Sequence, residues 1–160
     1  MVTIDNGAII TAFVDGSSRG NPGFAGIGIA LFVEGCDEPV EEISKSIGTT
    51  TNNVAEYEAV ITALKWFLDH RIGTAVIKLD SELVYRQLVG EYRVKTAHIL
   101  SLVKRAHNLM DQLNDVSIIL IPREANKWAD RLAQKASKVK KAPPTAKTRF
   151  IQGKIAPGNG

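Results

Sequence analysis

The chain has 160 residues, 44% hydrophobic and 23% charged, which is enough for one sizeable core and short of two. No apolar run approaches the ~18–20 residues of a membrane span, the opening MVTIDNGAII lacks the basic flank and cleavage site of a signal peptide, and a single cysteine, Cys36, excludes an internal disulfide framework. The net charge of +3 conceals a division, because residues 1–137 carry 14 basic against 17 acidic side chains (−3) while residues 138–160 carry six basic side chains and no acid (+6). A cytoplasmic globular protein is expected, and three histidines (His70, His98, His107) without cysteine partners leave no zinc site.

Residues 8–14 (AIITAFV) form a short β-rich run that ends at Asp15-Gly16. After the turn chemistry of SSRGNPG, residues 24–33 (FAGIGIALFV) alternate Gly or Ala with large apolar residues, as expected of a strand closely covered on one face. Residues 39–48 (PVEEISKSIG) make a third strand, and short turns suggest an antiparallel meander. From Asn53 to Asp69 the period changes, with Tyr57, Val60, Ile61, Leu64, Phe67 and Leu68 spaced for an amphipathic helix. TAVIKLD (74–80) reads as a short buried strand, 81–89 and 95–113 as helical, and VSIILIP (116–122) as a final buried strand. A last helix starts near Glu124 and carries Trp128, Ala129, Leu132, Ala133 and Ala136 on one face. The order βββαβααβα implies an α/β fold, in which an antiparallel hairpin edge leads into parallel strands. The tail, with half of the six prolines and all basic charge, reads as flexible, either a solvated linker or a tether for phosphate backbones.

Four acids fall at informative places. Asp15 closes the first strand, Asp80 closes the fourth, Glu56 lies in the first turn of the long helix, and Asp130 in the second turn of the last. Functional groups of open α/β sheets gather outside the carboxyl ends of parallel strands, where adjacent first and fourth strands set Asp15 beside Asp80. A cluster of carboxylates without histidine or cysteine is a hard, oxygen-rich site that suits Mg²⁺ or Mn²⁺. Each acid also has a local explanation: a turn dipeptide at Asp15-Gly16, a capping box from Asn53 to Glu56, an N-cap at Asp80 and a solvated helix position at Asp130. The functional case is therefore joint.

The words around the acids carry it. Asp15-Gly16-Ser17-Ser18-Arg19-Gly20-Asn21-Pro22-Gly23, then Thr51-Asn52-Asn53-Val54-Ala55-Glu56, then Asp80-Ser81, then Asn126-Lys127-Trp128-Ala129-Asp130-Arg131-Leu132-Ala133 occur in that order. Over about residues 8–137 this pattern closely resembles the type 1 ribonuclease H family. The resemblance implies a ribonuclease H-like fold, a five-stranded mixed sheet in the order 3-2-1-4-5 flanked by helices, with residues 1–137 as the catalytic domain and 138–160 as a basic tail. It implies hydrolysis of the RNA strand of RNA–DNA hybrids to 5′-phosphate and 3′-hydroxyl ends, by a monomer using two Mg²⁺ or Mn²⁺ ions roughly 3.5–4 Å apart. By position, Asp15, Glu56, Asp80 and Asp130 match the catalytic, metal-holding carboxylates, with Asp15 bridging. Asn21, Asn52, Asn53 and Glu56 match minor-groove contacts and Thr51 a DNA phosphate contact; Gly16, Ser17, Ser18, Ser81 and Asn126 complete the expected nucleic-acid surface.

Two departures stand out. Many bacterial members carry a histidine in a glycine-rich loop before the last helix, and here the segment reads Ile121-Pro122-Arg123-Glu124-Ala125-Asn126. That resembles the archaeal and plant-like branch; Arg123 is then a candidate for contacting the departing phosphate, but not for general base catalysis. The stretch from Asp80 to Asp130 also lacks the basic protrusion of some members, which leaves the +6 tail as the candidate for extra substrate grip.

Overall fold

The structure, a computed structural model, describes residues 7–139. The expectation that the first residues are not a signal peptide, as far as it concerns residues 1–6, and the tail reading from Lys140 onward lie outside the described residues. The elements run β1 (Ile9–Ser18), β2 (Gly23–Val33), β3 (Glu41–Thr50), α1 (Asn52–Asp69), β4 (Thr74–Leu79), α2 (Glu82–Leu88), α3 (Ala97–Asp111), β5 (Asp115–Leu120) and α4 (Lys127–Ser137), with a 3-10 turn at Arg123–Ala125. One five-stranded sheet has the order β3-β2-β1-β4-β5. Its β1–β2 and β2–β3 pairs are antiparallel, and its β1–β4 and β4–β5 pairs are parallel. This is the mixed sheet that the resemblance implied. No described helix is long and apolar enough to cross a membrane.

Strand alternation sorts the core. Ile10, Ala12 and Val14 of β1 and Ile27, Ile29 and Leu31 of β2 join Tyr57, Val60, Ile61, Leu64 and Phe67 of α1 in one buried cluster. The opposite face of β2 meets α4, and there the Gly/Ala alternation read from the sequence has its cause. A Cβ on Gly28 would stand 2.2 Å from the Ala129 carbonyl oxygen and 2.4 Å from the Ala133 nitrogen. Small residues on both elements, Gly28 on the strand and Ala129 and Ala133 on the helix, let the two backbones nearly touch. Trp128 rests on the edge of Phe32 with ring centroids 5.3 Å apart, and Phe32 in turn on Phe13 at 5.6 Å, which seals the border of that layer.

Several boundaries differ from the sequence reading. β1 does not end at Asp15, because Asp15 to Ser18 continue to pair with Gly28 to Ala25 of β2. The segment read as a buried strand at 116–122 is β5, an edge strand whose residues alternate between exposed and half-buried; with only one neighbour and one covered face, its apolar run is not enclosed. The cap of α1 is Thr51, whose side chain accepts from the Val54 amide at 3.3 Å, so Asn53 is inside the helix and Glu56 lies beyond its first turn. Ser81 rather than Asp80 caps α2, accepting from the Val84 amide at 3.2 Å. Pro122 and a short 3-10 turn delay the last helix to Lys127, which moves Asp130 into its first turn.

Candidate active site

The parallel pairing of β1 with β4 stops at Phe13–Lys78, while the antiparallel pairing of β1 with β2 runs on to Ser18–Ala25. Asp15 therefore sits where its parallel neighbour has run out, and Asp80 is the first residue beyond that neighbour. The two carboxylates meet in the gap left by the end of β4. Glu56 is brought in by a close approach of α1: a Cβ on Gly16 would lie 2.3 Å from the Ala55 carbonyl carbon and 2.4 Å from the Glu56 nitrogen. Only a glycine lets the helix backbone rest on the strand there. Around this contact the Ser18 amide donates to Asn52 Oδ1 at 3.2 Å, the Asn52 amide to Asn21 Oδ1 at 3.1 Å, and the Ser18 hydroxyl to the Thr50 carbonyl at 3.1 Å.

Asp15, Glu56 and Asp80 each offer a carboxylate oxygen, and these atoms lie within 4.8 Å of one another. Asp130 joins them from α4, so that all four acids line one small cavity of about 140 Å³ with Gly16, Ser17, Asn52 and Arg123. Gln134 Nε2 reaches both Asp130 oxygens, at 3.2 and 3.3 Å. Asp15 is only 9% exposed, and its carboxyl is pushed up from 3.8 to about 9 by burial first, then by the charge of Asp80, a hydrogen bond with Asp130 and the charges of Glu56 and Asp130. Glu56 is pushed up to about 7 by burial and then by Asp80, against the opposing pull of a hydrogen bond from Ser81 and the charge of Arg123. Asp15 and Glu56 resist ionisation in this site, a resistance that a divalent cation would relieve. The donor set is all oxygen, close-set and anionic, which fits Mg²⁺ or Mn²⁺.

The remaining expected site residues are distributed around this cavity. Ser18, Asn21 and Thr51 brace the entrance of α1, as described, and Ser81 caps α2 beside Glu56. Asn53 opens instead on a neighbouring cleft of about 530 Å³, shared with Leu83, Gln87, Glu91, Tyr92, Arg93, Lys95, Thr96 and Ile99. Tyr92, Arg93 and Lys95 had no role in the sequence reading; the only signal available was an aromatic beside two closely spaced cations in EYRVK. Asn126 corrects the expectation outright. It is 1% exposed and its amide nitrogen donates to the Val14 carbonyl at 2.9 Å and to Asp80 Oδ2 at 2.8 Å, which leaves no surface for nucleic acid.

Strand order and carboxylate cluster together define a protein of the ribonuclease H-like class. A family model described as "Reverse transcriptase-like" matches residues 13–136. Ribonuclease HI of Halobacterium salinarum is 39% identical over 136 residues, covering 85% of this chain and 68% of that protein. The N-terminal RNase H domain of Rv2228c from Mycobacterium tuberculosis superposes with a TM-score of 0.77 at 35% identity, covering 81% of this chain and 99% of that structure; the chain spans 34% of the full Bifunctional protein Rv2228c. LC11-RNase H1, solved in complex with an RNA/DNA hybrid, superposes at 0.73 with 36% identity, covering 79% of this chain and 95% of that one. The chain belongs to the ribonuclease H family.

Proposed function

We propose that this chain is an endoribonuclease that hydrolyses the RNA strand of RNA–DNA hybrids, leaving 5′-phosphate and 3′-hydroxyl ends, with two Mg²⁺ or Mn²⁺ ions held by Asp15, Glu56, Asp80 and Asp130. The observation that carries the reading is the meeting of these four acids, contributed by β1, α1, the end of β4 and α4, in one cavity. When bound, the ions neutralise the anionic phosphodiester and acidify water. The protein's part is to hold the carboxylates at fixed spacing and to choose the strand. Gly16, Ser17 and Asn52 on the cavity wall meet the minor groove, with Ser18, Asn21, Asn53 and Ser81 around them, where the 2′-hydroxyl distinguishes RNA from DNA, and Thr51 meets a phosphate of the DNA strand. Arg123, in the same cavity, holds the departing phosphate as a fixed cation. The cleft beside Asn53, with Arg93 and Lys95, offers a path for the other strand. Because one chain supplies the whole cavity and has one cysteine, we further propose a cytoplasmic monomer with residues 1–137 as its catalytic unit.

The test is a gel assay on one labelled RNA of about 16 nucleotides, presented single-stranded, paired to RNA and paired to DNA, each with Mg²⁺, Mn²⁺ or EDTA. Cleavage of the DNA-paired strand alone, abolished by EDTA, is the expected result. Faster cleavage of RNA duplex or of an RNA–DNA junction reassigns the substrate, and a gel shift of the hybrid without cleavage makes the chain a binding module.

The +6 segment 138–160 is proposed to neutralise substrate phosphates. Its deletion is then expected to raise KM most at low salt, and to flatten the dependence of log KM on log salt by about 0.7–0.9 for each phosphate that the tail would have neutralised. A slope identical to that of the full chain removes the tail from the substrate interface.

A further inference from the structure

Asn126 occupies the N-cap position of α4, yet its side chain makes no cap hydrogen bond. An asparagine there ordinarily turns its oxygen onto the first free amides of the helix. This one turns inward. Its Nδ2 donates to the Val14 carbonyl at 2.9 Å and to Asp80 Oδ2 at 2.8 Å, and its Oδ1 is buried without a hydrogen-bond partner. The orientation is fixed by chemistry: a flipped amide sets an oxygen against a carbonyl and a carboxylate, which repel it. Main-chain contacts extend the arrangement, since the Asp130 amide donates to the Asn126 carbonyl at 3.1 Å. One residue thus touches the peptide preceding Asp15, the carboxylate of Asp80 and the backbone of Asp130. It forgoes a cap and buries an orphaned acceptor to do so, both of which work against folding stability.

We propose that Asn126 is a positioning residue that sets the spacing of Asp15, Asp80 and Asp130 for divalent cation capture, rather than a contact for nucleic acid. The proposal rests on the metal-dependent reading above. Its physical content is that the amide holds Asp80 Oδ2 and so fixes how that carboxylate is turned, while β1 and α4 are tied to the same residue.

The test compares wild-type protein with Asn126→Ala. Mn²⁺ and Mg²⁺ binding is followed by calorimetry without substrate, and hybrid cleavage is followed across metal concentration. The expected result is a loss of metal affinity of roughly 10–100-fold, as for partners that orient a metal-holding group. The metal midpoint of cleavage should rise in parallel, with KM for the hybrid at saturating metal within about threefold of wild type. A folded variant with unchanged calorimetric affinity and midpoint overturns the proposal, as does one in which only KM rises. If Asn126→Ala melts below the assay temperature, Asn126→Ser, which retains a hydrogen-bonding group at the start of α4, is measured in the same way; failure of both to fold makes Asn126 a structural residue and also overturns the proposal. Wild-type protein that binds neither metal and cleaves nothing fails the functional reading itself, an outcome distinct from unchanged affinity in the variant.

Discussion

Asp15→Asn is expected to lower cleavage by roughly 10²–10³-fold or more and, in EDTA at pH 8, to raise the melting temperature. The two effects have one origin. Asp15 is buried among three other acids, and its carboxyl is pushed up to about 9 from 3.8. The folded, metal-free protein therefore holds a proton that the unfolded chain has already released. A raised folded-state value contributes stability that is fully present below the unfolded value, near pH 4, and that is lost progressively as pH rises toward about 9. Asparagine has no such proton to lose, so at pH 8 the variant escapes a penalty of at least a few kcal/mol, or about 5 °C or more for a domain of this size. Near pH 4 the two proteins should melt together. Adding Mg²⁺ should reverse the order, because cation binding stabilises the wild type and much less the variant. Melting curves at pH 4 and pH 8, with EDTA and with Mg²⁺, read all of this. Equal melting temperatures at pH 8 in EDTA mean that Asp15 is not held in the crowded, buried state described, and undiminished turnover removes it from the reaction.

Gly28→Ala is expected to be the most damaging single-methyl change among the described glycines of β2 that face α4. The added carbon would fall 2.2 Å from the Ala129 oxygen and 2.4 Å from the Ala133 nitrogen, both backbone atoms, with Leu132 Cβ at 2.8 Å. A flexible side chain can move aside at small cost, but here a helix must lift. Overpacking of a tight core costs about 1–3 kcal/mol and more where backbone must shift, so a loss of at least about 3 kcal/mol, or roughly 6–12 °C in melting temperature, is expected. The helix that lifts is the one that carries Asp130 and has Asn126 at its N-cap position, so the metal midpoint of cleavage should rise in whatever fraction remains folded. Gly7→Ala is the control, since nothing lies within 4 Å of the new carbon, and its melting temperature should match wild type within about 1 °C. A Gly28→Ala protein as stable as Gly7→Ala contradicts the packing of α4 on β2.

Both predictions depend on an α/β frame whose main lines are local. The i, i+3, i+4, i+7 spacing from Tyr57 to Phe67 announces α1, and the Gly/Ala alternation of residues 24–33 announces a strand pressed against another element. These patterns are readable because helix and strand periods are properties of neighbouring residues. The four carboxylates were legible for a different reason: the words around Asp15, Glu56, Asp80 and Asp130 are distinctive in order and spacing, although each acid alone has an ordinary explanation. Boundaries were less legible. The turn residues after Val14 suggested an end at Asp15, but pairing with β2 carries β1 through Ser18, and a distant strand leaves no mark on the local sequence.

By itself, then, the sequence determined the element types and the βββαβααβα order, which follow from short-range periodicity, and singled out the four acids through the motifs that resemble the ribonuclease H family. Only the tertiary structure decided how those acids behave. The value of about 9 at Asp15 comes from burial and from three carboxylates distant in sequence. The exposure of β5 comes from its place at the sheet edge. Asn126 shows the difference most plainly: the resemblance implied a place on the nucleic-acid surface, whereas the fold encloses it between the Val14 carbonyl and Asp80. Residue type determines which hydrogen bonds a side chain is able to make, and long-range packing determines which partners it finds and whether water competes for them.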